Sequence, residues 1–339
     1  MPHLRSPGPT VGEDAPEDGW QEAASFLLSL KLRSLSVECP RCGRPVLPFT
    51  RWVPGRSEKP LYAVHPDHGG PREYYRLSRE ETAQIRGRVE LSRSDLKRLL
   101  AKAHGYVLFS GGVDSLCLLL YLLRTIPDAR DKLTALHIDT ATGFPEVGRY
   151  VRRVCRKLEL PLNTVRPSRD FFELAKTWGI PGFSARWCCK ELKVKPVRDF
   201  LAKVPEPKIV LDGIRAEESY LRSTYLPVWY HPTFKCLSVS PILGWSDQKV
   251  RDYVEASGLP KSPVADLGCS SECWCGAYKK RKDFEALLQI HPEIFDKLVD
   301  VEKAQKGRYT FVYEKGEQVP LTTLRREARR NGKKPLTSH

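Results

Sequence analysis

The sequence predicts an α/β fold in which a parallel sheet carries helices on both faces. Two observations predict it. From Gly105 onward, short apolar runs suited to strands alternate with longer amphipathic runs suited to helices. The first of these strands leads into Ser110-Gly111-Gly112-Val113-Asp114-Ser115 and then into the apolar run 116–123. That order reads as a buried strand, a tight glycine turn and a buried helix.

The elements follow in order. Strands are expected at residues 105–110, 133–139, 160–166 and 208–213, with a weaker one at 237–243. Helical patterns fall at 113–126, 145–158, 169–178, 190–203, 246–257 and 281–304. Upstream, residues 1–18 are rich in Pro, Gly and acid and read as a disordered tail. A short helix at 19–33 opens a compact module that runs to residue 75. Residues 76–104 read as charged connecting helices, 105–305 as the α/β domain and 306–339 as a basic extension.

The chain has 339 residues, 41% of them hydrophobic and 29% charged, the balance of a soluble globular protein. No apolar run reaches the roughly 18–20 residues of a membrane helix, so a cytoplasmic protein is expected. The formal net charge of +15 suits a polyanionic partner such as RNA, or else a cation-rich surface that serves solubility. The extension adds to it. Within residues 321–339, Arg325, Arg326, Arg329, Arg330, Lys333 and Lys334 stand against Glu327 alone.

The glycine turn carries the first chemistry. A strand-to-helix turn leaves backbone N–H groups unpaired where the helix dipole favours an anion. Gly111 and Gly112 let the main chain approach a phosphate, and Ser110 and Ser115 add hydroxyls. No Gly-Lys-Ser/Thr follows, so this is not a Walker loop.

Ten cysteines supply the second. Cys39-Pro40-Arg41-Cys42-Gly43 forms a knuckle, and His65-Pro66-Asp67-His68 repeats the spacing with imidazoles. Together Cys39, Cys42, His65 and His68 match a tetrahedral Zn²⁺ site in a zinc-ribbon-like module too small to fold on apolar burial alone. A further five thiols form two tight groups, Cys188-Cys189 and Cys269, Cys273 and Cys275. A [4Fe–4S] cluster is expected there, with zinc or a redox-active thiol pair as the alternatives. Cys117, Cys155 and Cys236 read as small core residues.

The hexapeptide 110–115 resembles the pyrophosphate-binding loop of the PP-loop ATP pyrophosphatases, and further elements resemble one branch of them. His137-Ile138-Asp139-Thr140 with Gly143-Phe144-Pro145-Glu146 is similar to an element of the phosphoadenosine-phosphosulfate (PAPS) reductases. So are Asp212-Gly213-Ile214-Arg215-Ala216-Glu217-Glu218-Ser219 with Arg222, and Pro241-Ile242 with Trp245-Ser246. The two thiol groups resemble the cluster ligands of adenylyl-sulfate reductases and of cluster-dependent thiolation enzymes.

The resemblance implies an adenine nucleotide α-hydrolase-like fold and a set of roles. Ser110, Gly111, Gly112 and Ser115 would hold pyrophosphate, Asp114 would hold Mg²⁺, and Asp139 and Gly213 would line the nucleotide. Arg215 and Arg222 would clamp phosphate, with Lys193 near the α-phosphate. Two departures from the assimilatory reductases bear on activity. No cysteine follows Cys275, and the loop keeps Asp114. Both imply an ATP-dependent enzyme that adenylates an acceptor, such as tRNA, and inserts sulfur taken from a sulfur donor. A sulfonucleotide reductase that uses an electron donor and releases sulfite is the first alternative. A non-catalytic nucleotide- and RNA-binding protein is the second.

Overall fold

A computed structural model describes residues 19–32, 35–39, 43–50, 61–64, 74–86, 89–182, 185–263, 273–277 and 279–330. The helix α1 (Trp20–Ser29) precedes a four-stranded antiparallel sheet of β1 (Val37–Glu38), β2 (Pro45–Thr50), β3 (Leu61–Val64) and β4 (Tyr74–Arg76), in that spatial order. Two connecting helices follow, α2 (Arg79–Arg86) and α3 (Arg93–Lys102). The second is capped by Ser92, whose hydroxyl accepts from the Asp95 N–H at 3.1 Å.

The α/β part begins with β5 (His104–Leu108), α4 (Val113–Thr125), β6 (Leu133–Ile138), α5 (Pro145–Lys157), β7 (Leu162–Val165) and α6 (Phe171–Trp178). A broken helix then runs as α7 (Trp187–Cys189), a π-turn at Lys190–Val194 and α8 (Lys195–Leu201). Pro196, with no N–H to return to the preceding turn, sits where the helical register shifts. Next come β8 (Lys208–Leu211), α9 (Tyr220–Ser223), β9 (Val228–His231), β10 (Cys236–Val239) and α10 (Asp247–Glu255). The chain closes with α11 (Arg281–Ile290), α12 (Pro292–Ala304), the hairpin β11 (Val312–Glu314) and β12 (Glu317–Val319), and α13 (Leu321–Arg330).

The central sheet has the order β7-β6-β5-β8-β10-β9 and is parallel except for β9, which pairs antiparallel with β10. Alternation along each strand assigns its two faces. Val107, Ala135, Ile209, Leu211 and Val239 join the main core, and Tyr106, Leu136, Val210 and Cys236 meet Val197 and Leu201 of α8 on the other face. The expected α/β architecture is therefore present, with β9 added at the edge. The expected helix 281–304 is two helices, because Pro292 starts a new one after His291 leaves helical geometry at φ −132°. Strand ends are also shorter than expected, the fourth ending at Leu211 and the fifth at Val239.

Ala24, Leu27, Val46, Phe49 and Leu61 of the N-terminal part belong to the same apolar cluster as the α/β core. Cys117, Cys155 and Cys236 are buried, as expected, and burial pushes their thiols up to about 12, 11 and 12. No described helix is long and apolar enough to cross a membrane.

Candidate nucleotide and thiol site

The chain runs outward from β5 through β6 to β7, then returns to place β8 on the other side of β5. The carboxyl ends of β5 and β8 thus flank the switch point of the sheet, where open α/β sheets bind ligands. The glycine turn lies there. Gly111 has φ +87°, and a Cβ on it would come within 3.1 Å of Val147 and 3.3 Å of Val151. Only glycine lets the turn lie against α5 in this way. Gly112 caps α4 without a side-chain acceptor for the first-turn N–H groups. Around it, the Gly112 N–H donates to Ser110 Oγ at 3.2 Å, and the buried Ser115 hydroxyl donates to the Gly112 carbonyl at 2.9 Å.

The β8 end closes on this turn. A Cβ on Gly213 would lie 3.0 Å from the Asp114 carbonyl carbon and oxygen. Asp212, buried beside it, accepts from Ser238 Oγ and Ser240 Oγ at 2.6 Å each and from the Ile214 N–H at 3.2 Å. Those bonds fix the backbone that delivers Gly213 and Arg215. Arg215 is buried, and its guanidinium bonds Asp114 through Nε at 2.6 Å, Glu217 at 3.3 Å and Asp247 at 3.1 Å. Burial pushes the Asp114 carboxyl above its ordinary range against the pull of Arg215. A contact of 2.6 Å to a permanently charged guanidinium keeps the pair ionised. Asp247 is held low, first by its bond from Arg251.

The remaining expected nucleotide residues spread over the same end of the sheet. Asp139 follows β6, accepts from the Ala141 N–H at 3.3 Å and pairs with Arg166 at 2.9 Å. Arg222, on α9, pairs with Glu218 just before that helix. Lys193 is exposed in the π-turn. Glu217 and Asp247 complete the ring around Arg215 and were not expected from sequence. They lie far apart in the chain, and only their joint approach to one guanidinium marks them.

The two thiol groups do converge. Cys188 Sγ lies 3.5 Å from Cys275 Sγ, which lies 3.7 Å from Cys273 Sγ. The hydrogen bond between Cys188 and Cys189 raises the first thiol to about 12 and lowers the second. Cys275 is raised to about 11, first by its bond to Cys188. Cys269 lies outside the described residues. The late group is tied to the sheet end, since the Trp274 N–H donates to the Thr142 carbonyl at 2.8 Å and Cys273 bridges Gly143. Next in sequence to the thiols, Trp187 stacks on Phe171 at 5.5 Å and Trp274 meets the same ring edge-on at 5.3 Å.

In donor chemistry, four neighbouring thiols, two of them buried and two half-buried, suit a soft metal centre. Among the described residues, however, no three His, Cys, Asp or Glu side chains already stand in metal-holding geometry. Of the expected zinc ligands only Cys39 is described. It is buried, with its carbonyl accepting from the Gly43 N–H and its N–H donating to Arg44 at 2.8 Å each. Cys42, His65 and His68 lie outside the described residues.

Known proteins are similar to this chain over about half of its length. Residues 104–275 match the phosphoadenosine phosphosulfate reductase domain. An uncharacterized protein of Methanocaldococcus jannaschii is 28% identical over 198 residues, which are 58% of this chain and 46% of that protein. The adenosine 5'-phosphosulfate reductase of Bacillus cereus is 27% identical over 165 residues, 48% of this chain and 68% of the enzyme. The phosphoadenosine 5'-phosphosulfate reductase of Aliivibrio salmonicida is 28% identical over 155 residues, 43% of this chain and 58% of the enzyme. The match spans less than half the length of the two Methanocaldococcus relatives, at 46% and 40%. A crystal structure of PAPS reductase from Candida auris superposes on 58% of this chain and 96% of its own, with 22% identity and a TM-score of 0.44.

Proposed function

The chain belongs to the phosphoadenosine phosphosulfate reductase family, and from that premise we propose that it adenylates an RNA acceptor with ATP and inserts sulfur. The observation that carries this reading is the contact of Asp114 with both Gly213 and Arg215 at the switch point. A complete glycine loop, a carboxylate and a guanidinium meet there, as cleavage of a triphosphate between its α and β phosphates requires.

In this reading the N–H groups at Gly111 and Gly112 and the hydroxyls of Ser110 and Ser115 hold the departing pyrophosphate. Arg215 turns from Asp114 to the phosphates as nucleotide arrives, which frees the Asp114 carboxylate for Mg²⁺. When bound, Mg²⁺ neutralises charge on the separating phosphates. Asp139 and Gly213 line the nucleoside, Arg222 reaches phosphate, and Lys193 offsets charge at the α-phosphate. An acceptor carbonyl oxygen attacks the α-phosphorus, the bond to the β-phosphate oxygen breaks, and pyrophosphate leaves. Sulfide from a donor then attacks the adenylated carbon, the carbon–oxygen bond breaks and AMP departs with its electron pair. Three of Cys188, Cys189, Cys273 and Cys275 would hold a [4Fe–4S] cluster, whose fourth iron, left without a thiolate, would offer a place for sulfide. The N-terminal Cys39 knuckle, with Cys42, His65 and His68, would hold Zn²⁺.

The test is anaerobic protein incubated with ATP, sulfide and bulk tRNA. Pyrophosphate release and a thiolated nucleoside are expected, both lost in Asp114→Ala. If neither product forms, the proposal fails. A second reading, a sulfonucleotide reductase, draws on the names of the Bacillus and Aliivibrio relatives. It predicts sulfite from adenylyl or phosphoadenylyl sulfate with an electron donor and no pyrophosphate from ATP.

A further inference from the structure

Near the C-terminal end of α6, two aromatic rings face solvent. Trp178, the last residue of α6, is 46% exposed, and Tyr309 is 53% exposed in the segment after α12. Both border Gly179. A Cβ built there would lie 3.8 Å from the Tyr309 ring, and Gly179 directly follows Trp178. The two segments are fastened together, because Gln305 Nε2 donates to the Ala175 carbonyl at 3.0 Å. Exposed single aromatics are ordinary, but two on one rigid seat form a surface.

Cations surround it. The Arg169 guanidinium lies 4.7 Å from the Trp178 ring centroid, and Lys306 and Arg308 are exposed on either side of Gly307, next to Tyr309. Of the nearby acids, Asp170 is engaged in capping α6, where it accepts from the Phe172 and Glu173 N–H groups at 2.8 and 3.0 Å. Glu173 is exposed. Aromatic rings interleaved with cations are the surface on which unpaired bases stack while their phosphates meet positive charge. The surface also leads inward. Trp178 meets Trp187 edge-on at 5.8 Å, Trp187 Nε1 donates to the Gly179 carbonyl at 3.1 Å, and Cys188 is the next residue.

We propose that Trp178 and Tyr309, flanked by Arg169, Lys306 and Arg308, form a stacking platform for unpaired bases of single-stranded RNA, one aromatic ring away from the thiol group. The proposal names the binding surface of the RNA acceptor and to that extent rests on the reading above. Stacking supplies affinity without sequence choice, and the cations add a salt-dependent part.

The test uses full-length protein purified anaerobically and a fluorescent single-stranded RNA of about 12 nucleotides, within the span such surfaces cover. Blunt duplex RNA and single-stranded DNA of the same sequence serve as the other arms. Trp178→Ala with Tyr309→Ala is expected to weaken RNA binding by about tenfold or more. ATP binding and the thermal midpoint should not move, and Trp178→Phe with Tyr309→Phe should restore most of the affinity. Arg308→Glu should reduce the salt dependence of binding. Unchanged RNA affinity in the double alanine variant overturns the platform, as does duplex RNA binding as tightly as the single strand. Equal binding of single-stranded DNA overturns the assignment to RNA. Ring-dependent RNA binding without pyrophosphate release sinks thiolation and leaves the platform standing. Full thiolation by the double alanine variant does the reverse.

Discussion

Arg215 and Asp114 sit 101 positions apart in the chain and meet at 2.6 Å, with the guanidinium buried and two more carboxylates on its other nitrogens. A cation with three acidic partners beside the glycine turn is charge held in reserve. On the proposed reading, an entering triphosphate would draw the guanidinium from one carboxylate without its giving up the other two.

Replacing Asp114 with Asn therefore separates function from folding. Arg215 keeps Glu217 and Asp247, so the expected loss of stability is about 1–3 kcal/mol. ATP–pyrophosphate exchange should fall about 100-fold or more, the scale seen when an electrostatic partner of the transition state is removed. Thermal unfolding and isotope exchange measure the two effects. A variant with wild-type exchange would show that this carboxylate has no part in the chemistry.

Two glycine substitutions should have opposite outcomes. Gly213→Ala puts a methyl 3.0 Å from the main chain of Asp114, which cannot rotate away, so nucleotide affinity should fall at least tenfold. Gly105→Ala, in β5, meets only side chains, those of Leu211, Leu100 and Leu133, at 2.6–2.9 Å. It should cost about 1–3 kcal/mol of stability through overpacking, with nucleotide affinity intact. Titration calorimetry and urea unfolding on both variants check the contrast.

His104 gives a pH dependence with a definite sign. Its ring is half-buried against Thr134 Oγ1 at 2.9 Å, and burial, with Lys132 nearby, holds it below the ordinary 6.5. The fold thus favours the neutral ring. The stability it contributes is present above about pH 6.5 and is lost as pH falls through the lower folded value. His104→Gln should flatten that part of the decline in the urea midpoint between pH 7 and 5. An unchanged slope would remove His104 as its source.

Glu302 should anchor the C-terminal end. Its buried carboxylate accepts from the Phe311 N–H at 2.9 Å, the Leu321 N–H at 2.7 Å and the Thr310 hydroxyl. Glu302→Ala strands two N–H groups and should cost about 3 kcal/mol. Limited proteolysis should then cut between Gln305 and Leu321 well before the α/β core. Equal resistance of variant and wild type would refute this.

The strands from 105 to 213 were legible because each is a short β-rich run set between turn residues, and the glycine turn was legible because its spacing is local. β9 was not. Val228–His231 is four residues between Pro227 and Pro232, too short to show a period, and it forms only by pairing with β10. The hairpin Val312–Val319 turns on Lys315-Gly316, both at positive φ, a signal present in the sequence but set among charged residues. At the site, residue types were legible and partners were not. Nothing local in Asp247 or Glu217 announces that both close on Arg215. The convergence of Cys188 with Cys275 likewise depends on a loop that returns to Gly143 across the sheet end.

That return has a consequence for how the molecule works. The strip from Asp139 to Glu146 is clasped by Cys273 and Trp274 on one side and leads on the other into α5, whose Val147 and Val151 buttress the glycine turn. On the proposed reading, a change in sulfur spacing, whether by oxidation or by loading, would pull on the same short strap that shapes the glycine turn. The two proposed half-reactions would thereby be geared to each other, and a thiol reagent should alter nucleotide affinity without ever touching the nucleotide.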